Sequence, residues 1–135
     1  MGKFTDRYAT NKVAEEEGQW VDFGDGIEVK LRRLNSEASR EVRRKLEKPY
    51  EGQYRTRPMP DSLNEELLIK QLAQCIVVDW KGVENPDQDG QFLPCTPENV
   101  TMIVTRFKDF REDITTASMT QATFQGELKK QSEGN

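Results

Sequence analysis

The residues of this chain that could do chemistry are its carboxylates and its two cysteines, because the sequence contains no histidine. Without an imidazole, neither a Ser-His-Asp nor a Cys-His arrangement can form. Paired carboxylates could still act as general acid and base, but the acidic residues stand in polar runs such as residues 15–17, which are typical of solvated surface charge. The sequence contains neither a phosphate-binding loop nor a dinucleotide-binding fingerprint. It therefore predicts a protein that is not an enzyme and uses no cofactor.

One segment has the oxygen ligands of a calcium site. Asn85, Asp87, Asp89 and Gly90 reproduce the first half of an EF-hand loop, with ligands at positions 1, 3 and 5 and glycine at position 6. Position 12 of that loop requires a bidentate glutamate, and Thr96 stands there. We therefore predict a polar turn, with calcium binding as the alternative.

Composition excludes several other classes of protein. Cys75 and Cys95 are too few for a disulfide framework or a zinc cluster, so we expect two reduced thiols and no metal. Residues 1–17 contain no apolar run, so we expect no signal peptide, and no stretch approaches the roughly 20 apolar residues of a membrane span. The formal charge of −4, from 24 acidic and 20 basic residues, favours neither nucleic acid nor an anionic membrane. We expect a reducing cytoplasm and protein partners.

A cluster of cations lies within one predicted helix and contains Arg40, Arg43 and Arg44. Glutamates at positions 37, 41 and 47 are interleaved with them at the spacings that give ion pairs along a helix. The main interpretation is a solvated helix face. In the alternative, Arg40, Arg43 and Arg44 contact an acidic protein partner.

The elements that would position these residues begin with a β-hairpin. Residues 1–18 are polar and have little to bury, so they are predicted to form a flexible arm, with a short helix as the alternative. Residues 20–23 and 27–31 flank the turn sequence Gly24-Asp25-Gly26, and Asp-Gly between two apolar runs is a hairpin signal.

Four helices are predicted after the hairpin. They cover residues 36–48, 62 to about 80, 97–107 and 110 to about 129. Asn35 or Ser36 can cap the first helix. Ser62 and Glu65 match the capping box of the second, and Thr96 caps the third, in which proline takes the first helical position.

The predicted fold class is therefore α+β and mostly α: an N-terminal β-hairpin followed by about four helices, with flexible polar termini. Residues 81–94 form a polar loop with room for a short strand pair around Gly82-Val83 and Phe92-Leu93. Residues 19–128 are predicted to be a single domain and residues 129–135 a disordered tail.

The last two predicted helices are more apolar than one small core requires. Their large apolar side chains are Phe107, Phe110, Ile114, Met119 and Phe124. In one interpretation these residues only pack internally, and in the other some are exposed for a partner.

A recurring order of motifs runs along the chain. Gly18-Gln19-Trp20 begins the hairpin, and Lys48-Pro49-Tyr50 closes the first helix. Asp79-Trp80 ends the second helix, Asp89-Gly90 lies in the loop, and a proline-flanked cap leads into Glu98-Asn99. In this order of motifs the chain resembles the tail assembly chaperones of long-tailed bacteriophages.

The resemblance covers roughly residues 18–125 and implies a role without catalysis. Such a protein holds the tape measure protein, which is very long, helical and apolar, in solution while the tail tube polymerises on it. The implied partners are the tape measure protein, the tail tube protein and a longer frameshifted form of the chain itself, with self-association as a further contact. No nucleic acid and no membrane are expected. The implied location is the host bacterial cytoplasm, and the protein is expected to be absent from the mature virion.

Other interpretations stay open at this point. Lys129-Lys130 lies near the end of the chain, where adenine-rich lysine codons could form a frameshift site. The alternative function is a structural phage component, such as a head–tail connector or a tail completion protein. A third is a regulatory binding module unrelated to phages.

Overall fold

The structure is a computed structural model that describes residues 2–126 of the chain. Its architecture is α+β and mostly helical, as predicted, with a three-stranded antiparallel sheet and helices packed against it. Within residues 2–126, no helix is long and apolar enough to cross a membrane.

The chain begins with two short helices, α1 (Lys3–Tyr8) and α2 (Lys12–Glu17), where the sequence predicted a flexible arm. The Asn11 amide donates to the Phe124 carbonyl at 2.8 Å, and Ala14 of α2 is buried. Helical structure therefore precedes the hairpin, and the flexibility predicted for this segment stays a prediction. The Gln121 and Gln125 side-chain amides also donate to the Arg7 and Ala9 carbonyls. These few contacts attach the segment to the C-terminal turn, and composition does not reveal them.

The predicted hairpin forms between β1 (Gln19–Gly24) and β2 (Ile27–Leu31), which pair antiparallel. The two residues between the strands, Asp25 and Gly26, have φ values of 56° and 79°. A two-residue turn with both φ values positive matches the right-handed twist of the strands, which explains the Asp-Gly sequence.

The first predicted helix is α3 (Glu37–Glu47), and Ser36 is its cap, because its hydroxyl oxygen accepts a hydrogen bond from the Ser39 amide at 3.2 Å. The helix gives way to a 3₁₀ turn at Lys48–Tyr50, where proline cannot continue the α-helical hydrogen bonds.

The second helix, α4 (Asp61–Gln71), begins without the predicted capping box. Pro60 occupies the cap position and makes no side-chain hydrogen bond there. Glu65 is instead bound to Arg111, whose guanidinium donates to its carboxylate at 2.7 Å. A charge-assisted tertiary contact has therefore replaced the local one.

This helix also ends earlier than predicted. A π-helical turn, Leu72–Ile76, leads into a third strand, β3 (Val77–Lys81), which pairs with β2 so that Trp80 lies opposite Val29. The prediction of helix up to residue 80 was wrong because an apolar run of this length suits either element. Pairing with β2 stabilises the strand because it buries Trp80. Two β-branched residues in the same run also favour a strand over a helix.

The last two helices are α5 (Pro97–Arg106), capped by Thr96 as predicted, and α6 (Lys108–Met119). α6 is shorter than the predicted span of 110–129. At Thr120 the backbone becomes extended, with ψ 123°, and the Thr120 hydroxyl donates to the Thr116 carbonyl. Hydroxyl residues that bond to the preceding turn weaken a helix end. The predicted tail, residues 129–135, lies outside the described residues.

The core lies between one face of the sheet and a helical layer made of α4 with its π-helical turn, α5 and α6. Fully buried side chains from each layer meet there: Val29, Leu31, Leu72, Ile76, Val100, Val104 and Ile114. The predicted strand pair in the loop is present as a single bridge between Glu84 and Phe92. β2 is the central strand, so the hairpin is an integral part of this core.

Candidate functional site

An open groove of about 820 Å³ lies where the hairpin turn, the loop after β3 and the junction of α5 and α6 meet. We call it the groove. Its lining residues are Asp25, Ile27, Gly82, Val83, Glu84, Pro86, Ile103, Arg106, Phe107, Lys108, Asp109 and Phe110. Of the predicted partner-binding residues, Phe107 and Phe110 line this groove.

The floor of the groove is apolar and fixed by the core. Val83 and Ile103 are buried. Phe110 is half-buried, and its ring meets the Phe23 ring edge-on with centroids 6.1 Å apart. These contacts hold the floor in one arrangement, because close-packed aromatic and aliphatic side chains have few alternative rotamers.

The hairpin turn and the loop after β3 touch through two glycines. Gly82 has φ 77°, and a Cβ added to it would lie 2.2 Å from the Gly26 carbonyl oxygen. Only a residue without a side chain allows this approach. Gly82 therefore sets the distance between two walls of the groove.

Phe107 forms the sharp junction between α5 and α6. It ends α5 with its amide bonded to the Ile103 carbonyl and begins α6 with its carbonyl accepting from the Arg111 amide at 3.1 Å. The Phe107 side chain is 44% exposed although both neighbouring helices use its backbone groups. The Arg106 guanidinium lies 5.7 Å from the centre of its ring.

The rim of the groove carries mixed charge. Arg106 pairs with Asp87 at 3.1 Å. Within residues 2–126, no ion pair involves the other four charged residues of the rim, which are Asp25, Glu84, Lys108 and Asp109. All four are exposed, so they are free to contact a bound molecule.

Arg111 does not line the groove but stabilises the junction of α5 and α6 beside it. Its side chain is only 10% exposed, donates to the Val104 carbonyl at 2.8 Å and pairs with Glu65 at 2.7 Å. A buried guanidinium with two acceptors joins α4, the end of α5 and α6. The junction that presents Phe107 is therefore tied to the core.

The other apolar candidates do not lie in the groove. Ile114 and Phe124 are fully buried, and they are removed from the candidate surface because a partner cannot reach them in this structure. The Arg33 guanidinium lies over the Phe124 ring, 5.9 Å from the centre of that ring. Met119 is 47% exposed at the end of α6 and does not line the groove.

The cationic candidates lie on a separate surface, along α3. Arg43 donates to Glu47 at 2.8 Å and to Asn64, and Arg44 pairs with Glu41 and Glu37. Arg40 is exposed. The predicted ion pairs along the helix are thus present for two of the three arginines. We define the basic surface as the exposed cations of α3 and of the turn and loop that follow it: Arg40, Arg44, Lys45, Lys48, Arg55 and Arg57.

The two cysteines are free thiols and partly buried. Burial raises the pKa of Cys95 to about 11, with a further contribution from the nearby Asp79 carboxylate. Burial also raises the pKa of Cys75, although the Arg32 guanidinium opposes the change. Both groups are protonated at neutral pH, which makes them poor nucleophiles.

Residues 85–90, which resemble the first half of a calcium-binding loop, form a turn. The Asn85 side-chain oxygen accepts from the Asp87 amide at 2.9 Å, and Asp87 itself is bound to Arg106. In the part of the chain that the structure describes, no three histidine, cysteine, aspartate or glutamate residues are grouped to hold a metal ion.

Sequence reasoning missed most of the groove. Ile27, Gly82 and Ile103 come from three distant segments, and nothing in their local patterns marks them as neighbours. Gly82 directly follows β3, where a glycine at positive φ often marks close backbone approach, and this was the one signal available.

The fold and the groove together define a small α+β protein with an open apolar groove and a charged rim. Residues 34–135 match the family described as YdaY prophage protein. Because the match spans more than half of the chain, the chain belongs to this family. The predicted phage origin is thereby confirmed, while the family description names neither an activity nor a partner. No curated protein and no solved structure matches the chain.

The family match begins after the hairpin. Residues 1–33 lie outside it, yet β2 is the central strand of the sheet and Asp25 and Ile27 line the groove. The groove is therefore formed by residues on both sides of the boundary.

Proposed function

We propose that this chain is a tail assembly chaperone, which binds the tape measure protein in its groove and keeps that protein soluble in the host cytoplasm until the tail tube assembles. The observation that carries the proposal is the open groove, in which the partly exposed ring of Phe107 stands beside a floor of buried apolar side chains. The order of motifs along residues 18–125 and the prophage family support the phage context.

The groove has the chemistry of a site for an amphipathic helix. Such a helix presents apolar residues on one face, and these fit a concave apolar surface as anchors. A volume of about 820 Å³ can take more than one large side chain. A very long client offers many anchors to many chaperone molecules, so each contact can be weak while the client stays covered.

The charged rim suits a groove that must stay soluble when empty. Asp25, Glu84, Lys108 and Asp109 remain hydrated around the apolar floor. A polar rim around an apolar centre is the usual arrangement of a reversible protein interface. Release of the client during tail assembly requires such reversibility. The tail tube protein and a longer frameshifted form of the chain are the further partners of this proposal.

Co-expression with the tape measure protein of the same prophage tests the proposal. We expect the chain to raise the soluble fraction of the client. The variant Phe107→Asp should bind about 30-fold more weakly, because it removes an aromatic anchor and places a charge in the groove. Met119→Asp is the matched control, since Met119 is exposed to almost the same degree, 47% against 44%, but lies outside the groove.

Two outcomes would contradict the proposal. The client could remain equally insoluble with and without the chain, or the two variants could behave alike. Mass spectrometry of purified virions gives an independent check, because a chaperone is absent from mature particles. Its presence there would instead favour a head–tail connector or a tail completion protein.

A further inference from the structure

The charge of this chain is distributed unevenly. Residues 37–57 hold seven of its 20 basic residues and four of its 24 acidic residues, so this segment is net positive in a protein that is net negative. The rest of the chain carries 13 basic and 20 acidic residues. A local reversal of sign against the overall charge concentrates the positive potential on one part of the molecule.

Most of these cations are not neutralised by the protein. Arg43 and Arg44 form ion pairs along α3. Across residues 2–126, no ion pair reaches Arg40, Lys45 or Lys48, nor the two arginines of the following loop. All five are exposed.

The exposed cations, among which Arg44 is already paired with Glu37 and Glu41, lie on the outward side of α3 and on the turn that continues it. Ser39 faces inward, where the Gln71 amide group donates to its hydroxyl at 2.7 Å. Arg40, Arg44 and Lys48 follow one another at intervals of four residues, which places them along one outward stripe. Arg57 extends the charge into the loop and lies 5.3 Å from the centre of the Tyr54 ring.

From this arrangement we propose that the basic surface binds an acidic segment of another protein. Glu37 and Glu41 lie among the cations, so a continuous phosphate backbone would meet repulsion along the stripe. Carboxylates on a protein segment are spaced and can face the cations alone. Guanidinium groups bind such carboxylates through two parallel hydrogen bonds. The basic surface shares no residue with the groove, so this proposal does not depend on the proposed function.

Binding of a short peptide of alternating glutamate and alanine to the full chain tests the proposal. We expect the wild-type chain to bind this peptide at low salt and to lose affinity as salt is added. Lys45→Glu/Lys48→Glu should lower the affinity about tenfold, because two attractive contacts become repulsive. The matched control is Lys3→Glu/Lys12→Glu, which changes the net charge equally at two exposed lysines outside the basic surface. It should lower the affinity less than about twofold.

Several results would overturn the proposal. Equal losses in the two double variants would mean that only net charge matters. Tighter binding of single-stranded DNA of similar length would assign the surface to nucleic acid, and self-association that is lost in Lys45→Glu/Lys48→Glu would assign it to a second copy of the chain. Absence of peptide binding by the wild-type chain would also overturn it. Thermal unfolding of each variant, with an unchanged midpoint, excludes misfolding as the cause of a loss.

Discussion

The groove and the basic surface are built in different ways. The groove forms where residues 25–27, 82–86 and 103–110 converge, so its shape depends on tertiary packing. The basic surface follows consecutive turns of α3 and the loop after it, so its shape depends on one helix and its charges. A convergent site should therefore be sensitive to changes in backbone and core, whereas a contiguous one should be sensitive to surface charge alone.

The largest effect that would sharpen this comparison is expected at Gly82. In Gly82→Ala the new Cβ would meet the Gly26 carbonyl oxygen at 2.2 Å, and φ 77° is unfavourable for alanine. We expect a loss of about 3 kcal/mol in the free energy of unfolding, from overpacking added to backbone strain. The walls of the groove should also separate, and client binding should weaken. Chemical denaturation and the co-expression assay measure the two effects.

Gly90→Ala is the control for this prediction. Gly90 also has φ 77°, but no atom would lie within 4 Å of an added Cβ. In Gly90→Ala the free energy of unfolding should therefore fall only by the cost of backbone strain, about 1 kcal/mol. Equal losses at the two glycines would show that contact between the hairpin turn and the loop does not hold the groove.

A smaller loss is expected from Arg111→Met. Methionine keeps much of the apolar stem but removes the bonds to the Val104 carbonyl and to Glu65. The buried carbonyl loses a donor, and we expect a loss of about 2 kcal/mol in chemical denaturation. Glu65→Gln is the control, because Glu65 is 45% exposed and its charge is screened by water. It should cost about 0.5 kcal/mol or less. A larger cost for Glu65→Gln than for Arg111→Met would contradict a role for the buried carbonyl.

The same contrast explains what the sequence could predict. Ser36, Thr96 and the Asp25-Gly26 turn act on their own neighbours, and they were predicted correctly because capping and turn geometry are local. The ion pairs of Arg43 and Arg44 along α3 were predicted for the same reason. Glu65 had an equally good local signal, but its partner proved to be a distant arginine.

The groove was not predictable because no local pattern specifies it. Residues 77–80 were predicted as helix, and without β3 the loop that carries Gly82 could not be placed against the hairpin. The apolar excess around Phe107 was recognised, but its distribution was not. Ile114 and Phe124 are in the core, and of the five predicted apolar residues only Phe107 is both exposed and in the groove.

The smallest effect is expected where α3 is attached to the core. Ser39 is fully buried, and its hydroxyl accepts from Gln71 at 2.7 Å, while its carbonyl accepts from the same amide group at 3.0 Å. Ser39→Ala removes the first bond and keeps the second, so we expect a loss of about 1 kcal/mol in chemical denaturation. Ser62→Ala is the control. Ser62 is exposed and does not cap α4, so its replacement should change stability by less than about 0.5 kcal/mol. Because Ser39→Ala alters none of the outward cations, it should leave binding of the acidic peptide unchanged. A fall in peptide affinity in this variant would mean that the basic surface depends on tertiary packing as the groove does, and the contrast between the two surfaces would no longer hold.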